Sequence, residues 1–215
     1  MPSPLAIAFA IAGLILGLAA DRLATRWPEH DEPVESPPGR RPGWRTVVCG
    51  ALGAVALGLL PERFGSDPVA LALFTAWVAT LVVGFAIDLD QRLLPDELTL
   101  PVIPIAAVYA LSGRNPLVGD EVVLAFAAAI AVPAALYLPS LLFGEGAFGL
   151  GDVKLLAGTG LMLGHFRTLS GLASGLIVTG VVLVVLLAAR RIGRRSYVPF
   201  GPFLILGALY GLLIR

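Results

Sequence analysis

Gly149-Leu150-Gly151-Asp152-Val153-Lys154 sets a carboxylate and an ammonium at the entrance of an apolar segment, behind two glycines. Ile87-Asp88-Leu89-Asp90 is its counterpart, with carboxylates at the exit of another apolar segment. A charge at membrane depth costs about 2.5–3.5 kcal/mol on insertion scales, so such residues mark working positions. Two carboxyl groups held close together share one proton, because neighbouring like charges do not both ionise cheaply. One then serves as base and the other as acid, which can activate a water against a carbonyl and protonate the oxyanion that develops. The titration belongs to the pair rather than to either member.

The flanking residues bear on that chemistry in different ways. Asp90 points to another side from Asp88 if the helix continues. Leu93-Leu94-Pro95-Asp96 then turns the chain, and Pro95 forbids one helix from running through. Gly149 and Gly151 free the backbone for a tight approach to the membrane. Lys154, two residues past Asp152, lies on a different helix face. It either biases the local field or snorkels to the interface.

The elements that must hold these residues are membrane helices. With 57% hydrophobic and 14% charged residues in 215, the chain reads as an all-α polytopic membrane protein rather than a soluble domain. Its zero formal net charge offers no field for nucleic acid, and none is expected as a partner. Apolar runs near 4–20, 46–60, 68–87, 97–112, 120–143, 152–165, 167–189 and 197–214 give about eight transmembrane helices in a single membrane domain, 1–215. The runs at 46–60, 97–112 and 152–165 are short for a hydrocarbon core of roughly 30 Å. Met1–Ala20 is apolar with no basic residue ahead of it, and reads as a retained first span.

Cytoplasmic loops collect Arg and Lys. With both termini outside, the inner loops hold Arg22, Arg26, Arg40, Arg41, Arg45, Arg92, Lys154, Arg190, Arg191, Arg194 and Arg195, leaving Arg63, Arg114, Arg167 and Arg215 outside. Asp88 and Asp152 then share the cytoplasmic face of the inner membrane. The connection 21–45, rich in proline and of mixed charge, reads as a flexible cytoplasmic loop.

Other features are weaker. Cys49, the single cysteine, reads as a buried thiol. Neither His30 nor His165 has a second ligand nearby in sequence, so no metal is expected. Gly144 to Gly149 matches G-x-G-x-x-G but lacks the strand and βαβ unit that dinucleotide binding needs. Small-residue pairs at Gly13/Gly17, Gly160/Gly164 and Gly171/Gly175 predict close helix packing.

Three blocks carry a family resemblance. Ala86-Ile87-Asp88-Leu89-Asp90 through Leu94-Pro95-Asp96-Glu97-Leu98-Thr99-Leu100-Pro101, then Gly149 to Leu156, resemble the two signature blocks of type IV prepilin peptidases. Val198-Pro199-Phe200-Gly201-Pro202-Phe203 resembles the last-span motif of that family. The resemblance implies a G-x-G-D intramembrane aspartic protease with catalytic blocks at 86–101 and 149–156. Asp88 and Asp152 correspond to its catalytic pair, Asp88 being the aspartate eight residues before that of Leu-Pro-Asp. Asp90 and Asp96 then fall into capping, interface or substrate-positioning roles, with Gly149, Gly151 and Lys154 in support.

The implied substrates are prepilins or pseudopilins, cut after a glycine where a short cytoplasmic leader meets an apolar helix. Many members carry two Cys-x-x-Cys pairs in the first cytoplasmic loop and also N-methylate the product. The loop 21–45 has no cysteine, which describes a compact form without the zinc module. Peptidase activity needs no cofactor, and S-adenosylmethionine enters only if methyl transfer is retained. The competing readings are a proton- or ion-coupled transporter, which also uses intramembrane aspartates, and a catalytically inactive scaffold relative.

Overall fold

The computed structural model describes residues 2–28, 42–141, 148–191 and 199–214, and all regular structure among them is helical. The chain divides into two compact units, Met1–Leu98 and Thr99–Arg215.

The first unit is built from α1 (Pro4–Leu23), α2 (Trp44–Gly58), α3 (Leu60–Phe64) and α4 (Pro68–Gln91). Ser3 starts α1, its Oγ accepting from Ala6 N–H at 3.1 Å ahead of a proline in the first turn. Asp67 starts α4, its Oδ1 accepting from the N–H groups of Val69 at 2.9 Å and Ala70 at 3.0 Å. α1 and α2 run backbone against backbone. A Cβ on Gly13 would strike the Gly53 carbonyl, and one on Gly17 the Cys49 carbonyl. The Gly13/Gly17 pair is therefore an intrachain packing seam, the use lipid-embedded helices make of small residues. Phe64 stacks on Phe74 with centroids 4.3 Å apart, which seats α3 on α4.

Both long helices of this unit outrun their apolar stretches. α1 continues from the expected Ala20 to Leu23, and α4 from Ile87 to Gln91. Asp21, Asp90 and Gln91 each bond to a neighbouring helix or its end, so hydropathy alone places the ends too early. α4 stops where Arg92 turns left-handed at φ 59°, its N–H donating to the Asp88 carbonyl at 3.0 Å. Asp88 thus lies in the last turn rather than at the terminus.

The boundary between the units falls at α5 (Asp96–Thr99), and the second unit continues with α6 (Val102–Leu111), α7 (Val122–Ser140), α8 (Leu150–Ala188) and α9 (Gly201–Leu213). The helix expected over 97–112 is two helices, because Pro101 lacks an N–H and restricts Leu100 before it. α8 runs through both of the segments expected at 152–165 and 167–189, but it is broken at Gly164, with φ 74° and ψ 175°. Side chains meet the carbonyls around that break. Asn115, 1% exposed, donates Nδ2–H to Met162 O at 3.0 Å, and Thr168 Oγ1 donates to Gly164 O at 2.6 Å.

α8 carries the contacts of this unit. Gly160 lies against the backbone of Ala128 and Ala129 in α7, while Gly171 and Gly175 face the Gly207 and Phe203 carbonyls of α9. Arg167 donates Nη1–H to the carbonyls of Gly211 and Ile214, closing the C-terminal end of α9. Gly164, expected to pack like Gly160, instead marks the helix break.

Among the described residues five stretches are long and apolar enough to cross a membrane: Pro4–Leu23, Trp44–Phe64, Pro68–Gln91, Val122–Ser140 and Leu150–Ala188. The protein is an all-helical, multi-pass membrane protein. α6, with 10 residues, rises only about 15 Å.

Candidate active site

Asp88 is 4% exposed in the last turn of α4, and the neighbouring helices converge on that turn. Arg45, the second residue of α2, donates Nη1–H to Asp90 Oδ1 and Nη2–H to the Ala86 carbonyl, so one guanidinium holds α4 on both sides of Asp88. Thr46, next to it, donates its hydroxyl to Asp21 Oδ2 at 2.6 Å and accepts from Gly43 N–H at 3.3 Å. Gln91 donates Nε2–H to the carbonyls of Ala24 at 2.6 Å and Trp27 at 3.2 Å, where α1 ends. α1 and α4 therefore end together and run in the same direction. Asp21 and Asp88, each three residues before that contact, occupy the same level of the bundle.

Asp152 is the third residue of α8 in the second unit and is half-buried. Its carboxylate accepts from Gly149 N–H, and its own N–H donates to the Gly149 carbonyl at 3.1 Å. The carboxylate reaching back to the N-cap N–H is one half of a capping box, which Gly149 has no side chain to complete. Gly149 itself has ordinary extended backbone, φ −77° and ψ 147°, and a Cβ there would sit 3.5 Å from Asp152 Oδ2. Gly149 therefore adopts no conformation that only glycine allows. Phe148 meets Phe200 edge-on with centroids 5.9 Å apart, which brings the third sequence block beside the second.

The remaining expected residues fall at helix starts. Gly151 and Lys154 lie in the first turns of α8, the lysine half-buried and two residues from Asp152. Asp96 is exposed at the start of α5, where a carboxylate complements the helix dipole. Among the described residues no three His, Cys, Asp or Glu side chains gather as metal ligands. His165 meets a single acid, Glu121, at 3.3 Å. The motif at Gly144 and most of the loop 21–45 lie outside the described residues.

Sequence reasoning missed Asp21, Arg45, Thr46 and Gln91. Asp21 is 1% exposed, whereas the sequence places it at the start of a flexible cytoplasmic loop. The signal was present: Gly13, Gly17 and Asp21 recur every fourth residue along one face of α1, and all three are buried.

Apolar helices with acidic residues buried near their ends define a multi-pass membrane protein. The chain belongs to the type IV leader peptidase family, which matches residues 72–189, more than half its length and both aspartate blocks. It is 35% identical over 165 residues to a prepilin leader peptidase/N-methyltransferase of Aeromonas hydrophila, covering 74% of this chain and 53% of that one. It is 35% identical over 180 residues to the protein of the same name from Burkholderia pseudomallei, covering 80% and 54%. The Neisseria gonorrhoeae protein is 29% identical over 155 residues, covering 71% and 52%. The chain thus spans about half the length of the curated relatives it matches. No solved structure matches it.

Proposed function

We propose that this chain is an intramembrane aspartic endopeptidase that removes the short cytoplasmic leader of prepilins or pseudopilins, cleaving after the glycine ahead of the apolar helix. The observation that carries the reading is the family match over residues 72–189, which contains both Asp88 and Asp152. The burial of Asp88 in a helix end supports it, since a carboxylate there is retained for use rather than for solubility.

In this reading Asp88 and Asp152 share one proton across the reaction. The ionised member takes a proton from the attacking water, and the protonated member donates to the carbonyl oxygen as the tetrahedral intermediate forms. As the intermediate collapses the C–N bond breaks, the proton taken from water goes to the leaving amine, and a hydroxyl proton of the intermediate returns to the other aspartate, which restores the shared proton. Cleavage takes place at the cytoplasmic face, with eight spans and both termini outside.

Methyl transfer, part of the name of the relatives, is a separate matter. One cysteine, buried in α2, cannot furnish paired Cys-x-x-Cys zinc ligands, so a zinc module of that type does not fit these residues.

Co-expression with prepilins of the same genome tests both points. Wild-type protein should shorten the prepilin, while Asp88→Asn and Asp152→Asn should leave it intact with the variants still in the membrane fraction. Full cleavage by either variant overturns the pair. Mass spectrometry of the mature pilin reads methylation in the same samples, and a mass gain of one methylene would show that the chain methylates without the cysteine module.

A further inference from the structure

Arg45 stands out among the residues that no motif includes. It lies in the second position of α2, its side chain is 11% exposed, and it makes two bonds to a different helix. Those bonds reach Ala86 and Asp90, the residues two before and two after Asp88. A planar guanidinium is suited to this: it is always charged, and its donors are fixed in a fork that can serve a carboxylate and a carbonyl together. A helix end is where α4 most needs such support, because the last turn has carbonyls without intrahelical partners and frays readily.

Arg45 is itself held. Thr46 beside it is tied both to Asp21 of α1 and to the Gly43 N–H that starts α2. Gln91 ties the end of α4 to the end of α1. The start of α2 and the ends of α1 and α4 are thus laced by side chains at the turn that carries Asp88. The lacing is polar and directional in a unit whose other contacts are mostly apolar, so it fixes azimuth and register where greasy packing would tolerate slippage.

We propose that Arg45 is a positioning residue for Asp88, acting with Asp90 as one clamp on residues 86–90 of α4. The inference rests on the catalytic reading of Asp88. Its mechanism is geometric: a carboxylate that must meet a water and a scissile carbonyl loses rate steeply when its helix turn drifts, and a 1 Å displacement can cost about 100-fold. Asp90 is then a clamp residue, which gives a physical content to its place two residues from the catalytic aspartate.

The test is steady-state cleavage of a prepilin by purified full-length enzyme in detergent, with membrane yield and thermal midpoint recorded for each variant. Arg45→Gln and Asp90→Asn should each lower kcat about 10- to 100-fold at a temperature well below their midpoints, with KM within about twofold and a loss of rate larger than any fall in midpoint explains. The double variant should be no slower than the slower single variant, because both remove the same clamp. Arg45→Lys, which keeps the charge without the fork, should recover part of the loss.

Wild-type kcat in Arg45→Gln, losses that multiply in the double variant, a loss confined to KM, or a loss that tracks a lower midpoint would each overturn the clamp. Should Arg45→Gln fail to reach the membrane, Asp90→Asn and Arg45→Lys carry the decision, and wild-type kcat in Asp90→Asn overturns it. Asp88→Asn separates the two levels. If it cleaves, the catalytic reading falls and the clamp with it; if it is inert while Arg45→Gln runs at wild-type rate, only the clamp falls.

Discussion

Asp90 and Asp96 lie six residues apart in one sequence block and have different surroundings. Asp90 is bound to Arg45 and about one-fifth exposed, whereas Asp96 stands exposed at the start of a four-residue helix. Loss of a carboxylate at an exposed helix start costs about 0.3–1 kcal/mol. Asp96→Asn should therefore lower the thermal midpoint slightly and continue to cleave prepilin under conditions in which Asp88→Asn gives no product. At this scale the sequence announced the aspartates, because charge beside an apolar run is conspicuous. It concealed their neighbours: Arg45 and Thr46 belong to a polar stretch, and only the fold turns them toward α4 and α1. Asp21 is the instructive case, since its fourfold spacing from Gly13 and Gly17 was visible and its charge argued the other way.

Helices were legible where one apolar run ended in a proline or a turn, and less so where polar residues continued a helix. Pro101 forced a break, yet the expected helix ran through it because 97–112 is apolar on both sides. The apolar runs divide α8 between residues 165 and 167, while the backbone feature responsible is Gly164. Its positive φ with extended ψ is a conformation essentially restricted to glycine. Gly164→Ala would also bring a Cβ to 3.1 Å from the Leu117 carbonyl. That variant should lose about 1–3 kcal/mol, read as a lower thermal midpoint in detergent. Ala at Gly180, where a Cβ meets nothing within 4 Å, serves as the control.

For the molecule as a whole, hydropathy identified a helical membrane protein, and arginine placement supplied an orientation. The span count is harder to read, because helices of 10 and 13 residues, α6 and α9, do not by length alone establish a crossing. Eight spans with the N-terminus outside put residue 36 in the cytoplasm and residue 120 on the opposite side. In a Cys49→Ala background, Ser36→Cys and Asp120→Cys should therefore react with a membrane-impermeant thiol reagent from opposite faces. Labelling of both from one face would remove the eight-span topology.

The Asp21–Thr46 bond has a consequence for how such a chain changes over time. It joins the last turn of α1 to the first turn of α2, so the two mouths of the intervening connection are fastened together independently of what lies between them. The glycine seam fastens the rest of the hairpin. The entropic cost of bringing the ends of a flexible connection together rises only with the logarithm of its length, about 0.6 kcal/mol for each doubling. An entire folded module can therefore be gained or shed between residues 23 and 44 at little thermodynamic cost to the helices that hold Asp88.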